Sequence, residues 1–363
     1  MSESLAARGH EVHVITYHLG QKLEGLPFQI HRIPNVPTYQ KVSPGPAYQK
    51  LAVLDVLLAK KIFDLTRQVD FDIIHAHHFE GLLVGLPTAR LKRIPIVFDV
   101  HTLLSSELPH YSMGIPARTL RWLGNLIDRR LPRQADHIVS VTNLIRSKLI
   151  NEIGINPGKV TTIYGGVEME HFSAHPLPPP VSSSPVLVYA GNLAPYQGID
   201  LMLQAFRKVL DKHPDVKLKI ITNSPMDNYA SLVSELGIHG QLIVEDANYF
   251  EMPGHLYSSS IALNPRVYCD GLPLKLLNYM ATGRPVVSFE GSAEALEHER
   301  TGLVVPNGDI DGFAQAVLRL LENPEFAGSL GQNAQSVVQE FFVWENSIRS
   351  LEAIYDSLLA RRL

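Results

Sequence analysis

The sequence predicts an α/β protein of two Rossmann-like domains, each built on a parallel sheet. Three observations predict it. Short apolar runs alternate with helical stretches along both halves of the 363-residue chain. The runs carry apolar residues at successive positions, as strands buried on both faces between crossover helices do. A segment rich in proline and serine, HFSAHPLPPPVSSSP (171–185), interrupts the alternation midway.

In the first half the strand candidates are 11–17, 28–33, 73–76, 96–99, 137–141 and 160–163, and the apolar run 48–69 reads as one long helix. The segment 171–185 has no period and reads as a linker. The second half restarts with a strand at 186–190, a helix at 199–212, a strand at 217–222, a helix at 226–236, and strands at 242–244 and 261–263. VYCDGLPLKLLNYMATGRPVVSF (267–289) follows. It reads as a helix over 272–282 with Pro273 in its first turn, a stop at Gly283, a turn at Arg284-Pro285 and a buried strand at 286–289. The stretch 344–362 carries Ile348, Leu351, Ile354 and Leu358 at helical spacing. The expected organisation is a first domain over 1–172, a linker over 173–185, a second domain over 186–343, and a C-terminal helix over 344–363. Parallel-sheet domains bind ligands beyond the carboxyl ends of their strands, so a cleft between the domains is the expected site.

The start of the chain, SESLAARGHEVHVITYH, reads as the end of a helix, a stop at Gly9 and a strand. An open α/β domain ordinarily begins with a strand and a glycine-rich turn before that helix. The sequence therefore reads as lacking its first strand, most simply by truncation. On that reading an upstream-extended form would be more stable and more active.

The composition is 45% apolar and 19% charged, that of a globular enzyme with a substantial core. A net charge of −4 argues against a protein that coats nucleic acid. The one cysteine, Cys269, excludes an internal disulfide and fits a reducing, cytoplasmic compartment. No apolar run is long enough to span a bilayer, and no signal peptide is evident.

Several residues are placed for chemistry. Asp270 and Gly271 immediately precede the helix of 267–289. Free N–H groups at a helix N-terminus favour phosphate, and a carboxylate beside them accepts hydrogen bonds from hydroxyls. That pairing suits a ligand carrying both a diphosphate and a sugar. Lys275, in the first turn, opposes the helix dipole; it either awaits an anion or snorkels to solvent. His101 follows the strand IPIVFDV directly, at the crevice end. His75, His77 and His78 form the run HAHH at another strand end. Such spacing suits zinc, but alternate strand residues face opposite ways and no carboxylate ligand set is evident nearby. A structural or acceptor-side role is the expectation, with no metal site. The segment 117–137 sets Arg118, Arg121, Arg129, Arg130 and Arg133 among Leu120, Trp122, Leu123, Leu126 and Ile127. It reads either as a helix lying on anionic lipid or as an ordinary core-facing helix.

The stretch 267–289 resembles the nucleotide-sugar signature of the family-4 retaining glycosyltransferases, which have the GT-B fold. The family pattern is a Glu, seven residues, a second Glu, a small helix and Gly-x-Pro-Val-Val. Here it runs Asp270, seven residues, Asn278, then Met280-Ala281-Thr282-Gly283-Arg284-Pro285-Val286-Val287. EALEHERTGLVVPNGDIDGFAQAVLRLLENPE (294–325) looks like the family's closing donor-domain segment, and almost the whole chain can be laid on the family.

The resemblance implies transfer of a sugar from a nucleotide diphosphate donor to a glycan or lipid-linked glycan, with retention and without a bound metal or other cofactor. It implies a His at the place of His101 near the donor sugar, Asp270 on the sugar hydroxyls, Asn278 on the ribose, and Glu294 close to the ligand. Gly271 and Leu272 would lie at the diphosphate. The family often carries Arg and Lys in Gly-Arg and Lys-Gly pairs where this chain has Asn192 and Gln197, in YAGNLAPYQGIDLML. Arg266 and Lys275 are the candidates to replace that charge. The C-terminal helix would pack back on the first domain; the basic segment 117–137 leaves open a peripheral contact with the inner face of the membrane. Two other readings stay open: a GT-B nucleotide-sugar epimerase, and a non-catalytic sugar-nucleotide-binding protein.

Overall fold

A computed structural model of the chain describes residues 1–20, 24–40, 53–110, 114–173, 184–248, 250–269 and 271–361. It divides into two compact units, Met1–Tyr164 with Trp344–Leu363, and Gly165–Val343.

The first unit runs α1 (Ser2–Ala7), β1 (His13–Thr16), β2 (Gln29–Arg32), α2 (Asp55–Leu65), β3 (Ile74–His77), α3 (His78–Lys92), β4 (Ile96–Val100), α4 (Leu104–Glu107), α5 (Ala117–Arg130), β5 (His137–Ser140), α6 (Asn143–Ser147) and β6 (Val160–Thr162). Its described strands form two parallel sheets rather than one: β1 with β2, and β3-β4-β5-β6. β4 is buried at every position, as its uninterrupted apolar run IVF requires. Among the described residues β1 pairs only with β2. A cavity of about 500 Å³ separates it from β3, lined by Ile15 and Tyr17 on one side and Ile74–His77 on the other. The small sheet has its own core of Ile33, Tyr39, Leu54, Leu58, Ile62 and Val84. The described part of the expected helix 48–69 is α2, which is shorter; residues 41–52 lie outside the described residues.

The second unit runs α7 (Met169–Ser173), β7 (Val186–Ala190), α8 (Ile199–Leu210), β8 (Lys217–Ile221), α9 (Ala230–Leu236), β9 (Leu242–Glu245), α10 (Met252–Tyr257), β10 (Ile261–Asn264), α11 (Leu274–Ala281), β11 (Val286–Phe289), β12 (Leu303–Val305), α12 (Ile310–Glu322) and α13 (Pro324–Phe341). Its six strands form one parallel sheet in the order β12-β11-β10-β7-β8-β9. Order reverses at β7, whose neighbours are β10 and β8. That is the switch point where an open α/β sheet leaves a crevice at its carboxyl edge. The carboxyl ends of β7 and β10 lead directly into 191–198 and 265–273.

The chain then returns to the first unit as α14 (Trp344–Ala360). Ile348, Leu351, Ile354 and Leu358 pack with Leu5 of α1, Val97 of β4 and Val139 of β5.

The division between units falls at 164/165, ahead of the expected boundary at 172. α7 belongs to the second unit because Phe172 is buried there and its carbonyl accepts a 2.8 Å hydrogen bond from the Tyr257 hydroxyl. Residues 174–183 of the expected linker lie outside the described residues. The helix expected over 272–282 begins at Leu274, since Pro273 has an extended ψ of 106° and caps the helix instead of joining it. The helix expected over 226–236 begins at Ala230, after a single 3₁₀ turn at Asp227–Tyr229.

Candidate functional site

In the second unit, the loop after β7 and the N-terminus of α11 meet around one ammonium group. Lys275 sits in the first turn of α11, but its half-buried side chain turns inward rather than out to solvent. Its Nζ donates to the Gln197 Oε1 at 2.6 Å and to the Tyr189 hydroxyl at 3.1 Å, and lies 4.3 Å from the centre of the Tyr189 ring. The loop is shaped to receive it. Gly198 adopts φ +71°, and a Cβ there would lie 2.2 Å from the Pro265 carbonyl oxygen. The close approach of the β7 and β10 loops therefore demands glycine. Gly191 adopts φ +145°, and a Cβ there would come within 3.6 Å of the Lys275 Nζ. The Tyr189 hydroxyl donates to the Asn192 carbonyl at 2.7 Å, fixing the ring under the ammonium. Burial, and after it the positive charge of Arg266, pulls the Lys275 pKa down to about 7.

Arg266 leaves the end of β10. Its Nε donates to the Tyr268 carbonyl at 2.7 Å and its guanidinium lies 4.9 Å from the centre of the half-exposed Tyr196 ring. Among the described residues neither Arg266 nor Lys275 has a carboxylate in ion-pair range. Two cations with no carboxylate partner among the described residues make a local field that favours an anion.

The structure brings Gln197, Lys275, Asn192 and Arg266 into one neighbourhood. Gln197 is buried; Asn192 is exposed, and its Oδ1 accepts from the Ala194 N–H at 3.1 Å and from the Gln197 Nε2 at 3.4 Å. Gly271 and Leu272 are half-buried in the turn that leads into α11, and Asn278 is half-buried one turn beyond Lys275. Asp270 lies outside the described residues. Glu294 is exposed in a turn after the 3₁₀ segment Glu290–Ser292. Sequence reading missed Tyr189, which seats Lys275. It also missed Asn264, buried at the end of β10, whose Nδ2 donates to Ser288 Oγ at 2.8 Å and Ser292 Oγ at 2.9 Å. For Asn264, a polar residue closing an otherwise apolar strand was the available signal; for Tyr189 it was a hydroxyl-bearing residue one position before the end of β7.

In the first unit His101 follows β4 and is part of a larger cluster. Its Nε2 lies 3.2 Å from His77 Nδ1 and 3.6 Å from Asp99 Oδ1, and its ring stacks on His78 at 4.3 Å. Burial, then the nearby His101, pushes His78 down to about 4. The expectation that no carboxylate accompanies the HAHH run is corrected here. Asp99 is the direct register partner of His77 across β3 and β4, and sequence distance concealed it. Burial alone would raise the Asp99 carboxyl, but His101, His75 and His77 around it hold it well below the usual carboxylate range.

The chain is similar to known proteins along nearly its whole length. Residues 1–171 match the family model Glycosyltransferase Family 4, and residues 184–323 match Glycosyl transferases group 1. A D-inositol 3-phosphate glycosyltransferase of Kribbella flavida is 24% identical over 98% of this chain and 88% of its own. An MMP alpha-(1->4)-mannosyltransferase of Mycolicibacterium hassiacum is 26% identical over 99% of this chain and 93% of its own. Among solved structures, sucrose-phosphate synthase from Thermosynechococcus elongatus superimposes with a TM-score of 0.83 at 19% identity, covering 99% of this chain and 92% of that one. Anabaena HepE in complex with UDP superimposes with a TM-score of 0.72 at 17% identity, over 91% of this chain and 87% of that one. The chain belongs to glycosyltransferase family 4 and has the GT-B fold.

The buried ammonium has a measurable signature. Lys275 titrates at about 7 in the folded chain against an ordinary 10.5. The unfolded chain binds more protons between those values, so this group makes stability rise with pH across that window and leaves it flat below. Lys275→Met should remove the slope, which is at most about 1.4 kcal/mol per pH unit. In urea unfolding the advantage of the Met variant over wild type should therefore shrink steadily as pH rises from 7. Parallel stability curves would show that Lys275 keeps its ordinary basicity.

Proposed function

We propose that this family-4 glycosyltransferase binds a nucleoside diphosphate-sugar in its second unit, with the diphosphate at the N-terminus of α11, and passes the sugar to a hydroxyl of a glycan or lipid-linked glycan with retention. The observation that carries the proposal is the 2.6 Å contact between Lys275 Nζ and Gln197 Oε1. The resemblance leads to a lysine at position 197; here the side chain there is an amide, and an ammonium from a different element comes to its tip. Arg266 stands beside it in place of the basic residue expected at 192.

Each group then has a task. The N–H groups of the Gly271–Lys275 turn and the α11 dipole favour the diphosphate. As the bond from the anomeric carbon to the diphosphate oxygen breaks, its electron pair goes to the leaving group, and Lys275 and Arg266 stabilise the growing charge. The acceptor oxygen bonds to the same face of the sugar, and its proton passes to the departing phosphate oxygen. Lys275 is poised for this: the arriving anion offsets its desolvation and raises its pKa, so it is fully charged when the leaving group needs it. The transfer needs no metal ion on this account, because the chain supplies the positive charge. Asn278 accepts from the ribose through its amide oxygen, more weakly than a carboxylate. Asp270 holds the sugar hydroxyls.

The first test is nucleotide binding. HepE was solved with UDP, so UDP is the first probe, with GDP and ADP measured in parallel to identify the base. Arg266→Ala should weaken binding at least about tenfold, the value of a charge-assisted hydrogen bond. Wild-type affinity should fall as pH rises above 7, where the free enzyme loses the Lys275 proton. Unchanged affinity in Arg266→Ala together with a flat profile from pH 7 to 9 would remove both cations from the site.

We also propose that α5 lies on anionic lipid at the inner face of the membrane. α5 turns Leu120, Gly124 and Asp128 inward, where the Asp128 carboxylate accepts the N–H groups of Leu104 and Ser105 at 3.0 Å each. Trp122 is left 65% exposed, beside exposed Leu123, Arg118 and Arg121. An aromatic and an aliphatic side chain flanked by guanidinium groups match an interfacial helix. Wild-type protein should sediment with vesicles containing phosphatidylglycerol at low salt, and Trp122→Ala with Arg121→Glu should not. Equal sedimentation of the two forms, or none for wild type, would reject the contact.

A further inference from the structure

We propose that Ser292, in the Glu290–Ser292 turn after β11, is a positioning residue for Arg266; the proposal rests on the reading of Arg266 as a diphosphate contact. Arg266 opens the loop 266–269, which carries the chain from β10 towards α11. The turn grips that loop at both ends. At one end the buried Ser292 hydroxyl donates to the Arg266 carbonyl at 2.5 Å. At the other the Cys269 N–H donates to the Gly291 carbonyl at 2.8 Å. Between them the backbones touch. A Cβ on Gly291 would lie 1.9 Å from the Val267 carbonyl oxygen, so the contact is open only to glycine.

The turn is itself held from two directions. Buried Asn264 donates through Nδ2 to Ser292 Oγ at 2.9 Å and to Ser288 Oγ at 2.8 Å. The Ser292 hydroxyl thus accepts from one neighbour and donates to the next, which fixes its direction. On the exposed side, the Gly291 N–H donates to Asn307 Oδ1 at 3.0 Å, and the Asn307 N–H donates to Glu290 Oε1 at 3.3 Å. The Arg266 side chain depends on the loop so held, because its Nε donates to the Tyr268 carbonyl at 2.7 Å. A shift of the loop therefore moves the guanidinium.

Stability alone does not account for these contacts. Buried polar groups carry a desolvation cost that an apolar set of the same shape avoids. Here part of that cost is left standing, since Asn264 Oδ1 is buried with no hydrogen-bond partner. What the contacts supply is a loop fixed before the ligand arrives. A cation held in place in advance loses little freedom on binding and needs no rearrangement as charge develops on the leaving group.

The experiment is a double-mutant cycle on UDP affinity, measured calorimetrically on the full chain with GDP and ADP run beside it. Ser292→Ala should weaken UDP about three- to tenfold, the value of one hydrogen bond. In an Arg266→Ala background the same substitution should change affinity little, because the group it positions is gone. The salt dependence of affinity in Ser292→Ala should also fall towards that of Arg266→Ala, a change that lost packing alone does not produce. Asn307→Ala, at an exposed position, loosens the turn from its other side. It should weaken UDP about threefold, again only where Arg266 is present, and it covers the case in which Ser292→Ala fails to fold. Urea unfolding checks each variant. Equal losses from Ser292→Ala with and without Arg266, or no loss where Arg266 is present, would overturn the positioning role and leave Arg266 as a contact. Wild-type affinity in Arg266→Ala, or no binding of any of the three nucleotides to wild type, would remove the contact itself and the proposal with it.

Discussion

A positive charge held out of water is the constraint around which the second unit is arranged. Burying an ammonium is costly unless its donors are used and its charge is answered. The Lys275 donors meet the Gln197 amide and the Tyr189 hydroxyl, and the Tyr189 ring lies against the ammonium. Each contact imposes a condition elsewhere. Tyr189 must lie near the end of a buried strand, Gln197 must be carried on a tight turn, and that turn must run against Pro265, which leaves room only for glycine at 198. The charge itself is left without a carboxylate among the described residues, and on the proposed reading a diphosphate would supply the anion.

On the proposed reading, the chain departs from the pattern that the resemblance implies while keeping a positive charge at the same point. A charge is read by a ligand as a position in space, not as a position in sequence. In a loop that folds back over the first turn of a helix, a lysine on the helix reaches the same point as one on the loop. The cost is proximity to Arg266, which together with burial lowers the Lys275 pKa. That cost makes the site responsive, because a bound anion relieves it.

Much of the fold was legible in the sequence, for physical reasons. Val186–Ala190 and Ile261–Asn264 are apolar runs bounded by turn residues, and period and length leave little choice for such segments. The helix after Gly271 was legible through Pro273 and Gly283, although an extended ψ at Pro273 moved its start to Leu274. Lys275 and Arg266 were legible as charges needing a purpose. The direction of the Lys275 side chain was not, because solvent and interior are equally open to a residue in a first turn. Asp99 was not legible as a partner of His77, since strand register joins residues that the sequence separates. The two separate sheets of the first unit, and the cavity between β1 and β3, are likewise facts of pairing that local pattern does not carry.

The most direct test of the account moves the charge back along the chain. In the double variant Gln197→Lys with Lys275→Leu, the ammonium is supplied from the loop and the helix position is apolar. If the site requires a charge at that point, UDP affinity measured calorimetrically at pH 7 should fall at least about tenfold in Lys275→Leu alone and recover in the double variant to near the wild-type value. A folded double variant that binds no better than Lys275→Leu, or a single variant that binds like wild type, would contradict the claim that Lys275 supplies the missing positive charge.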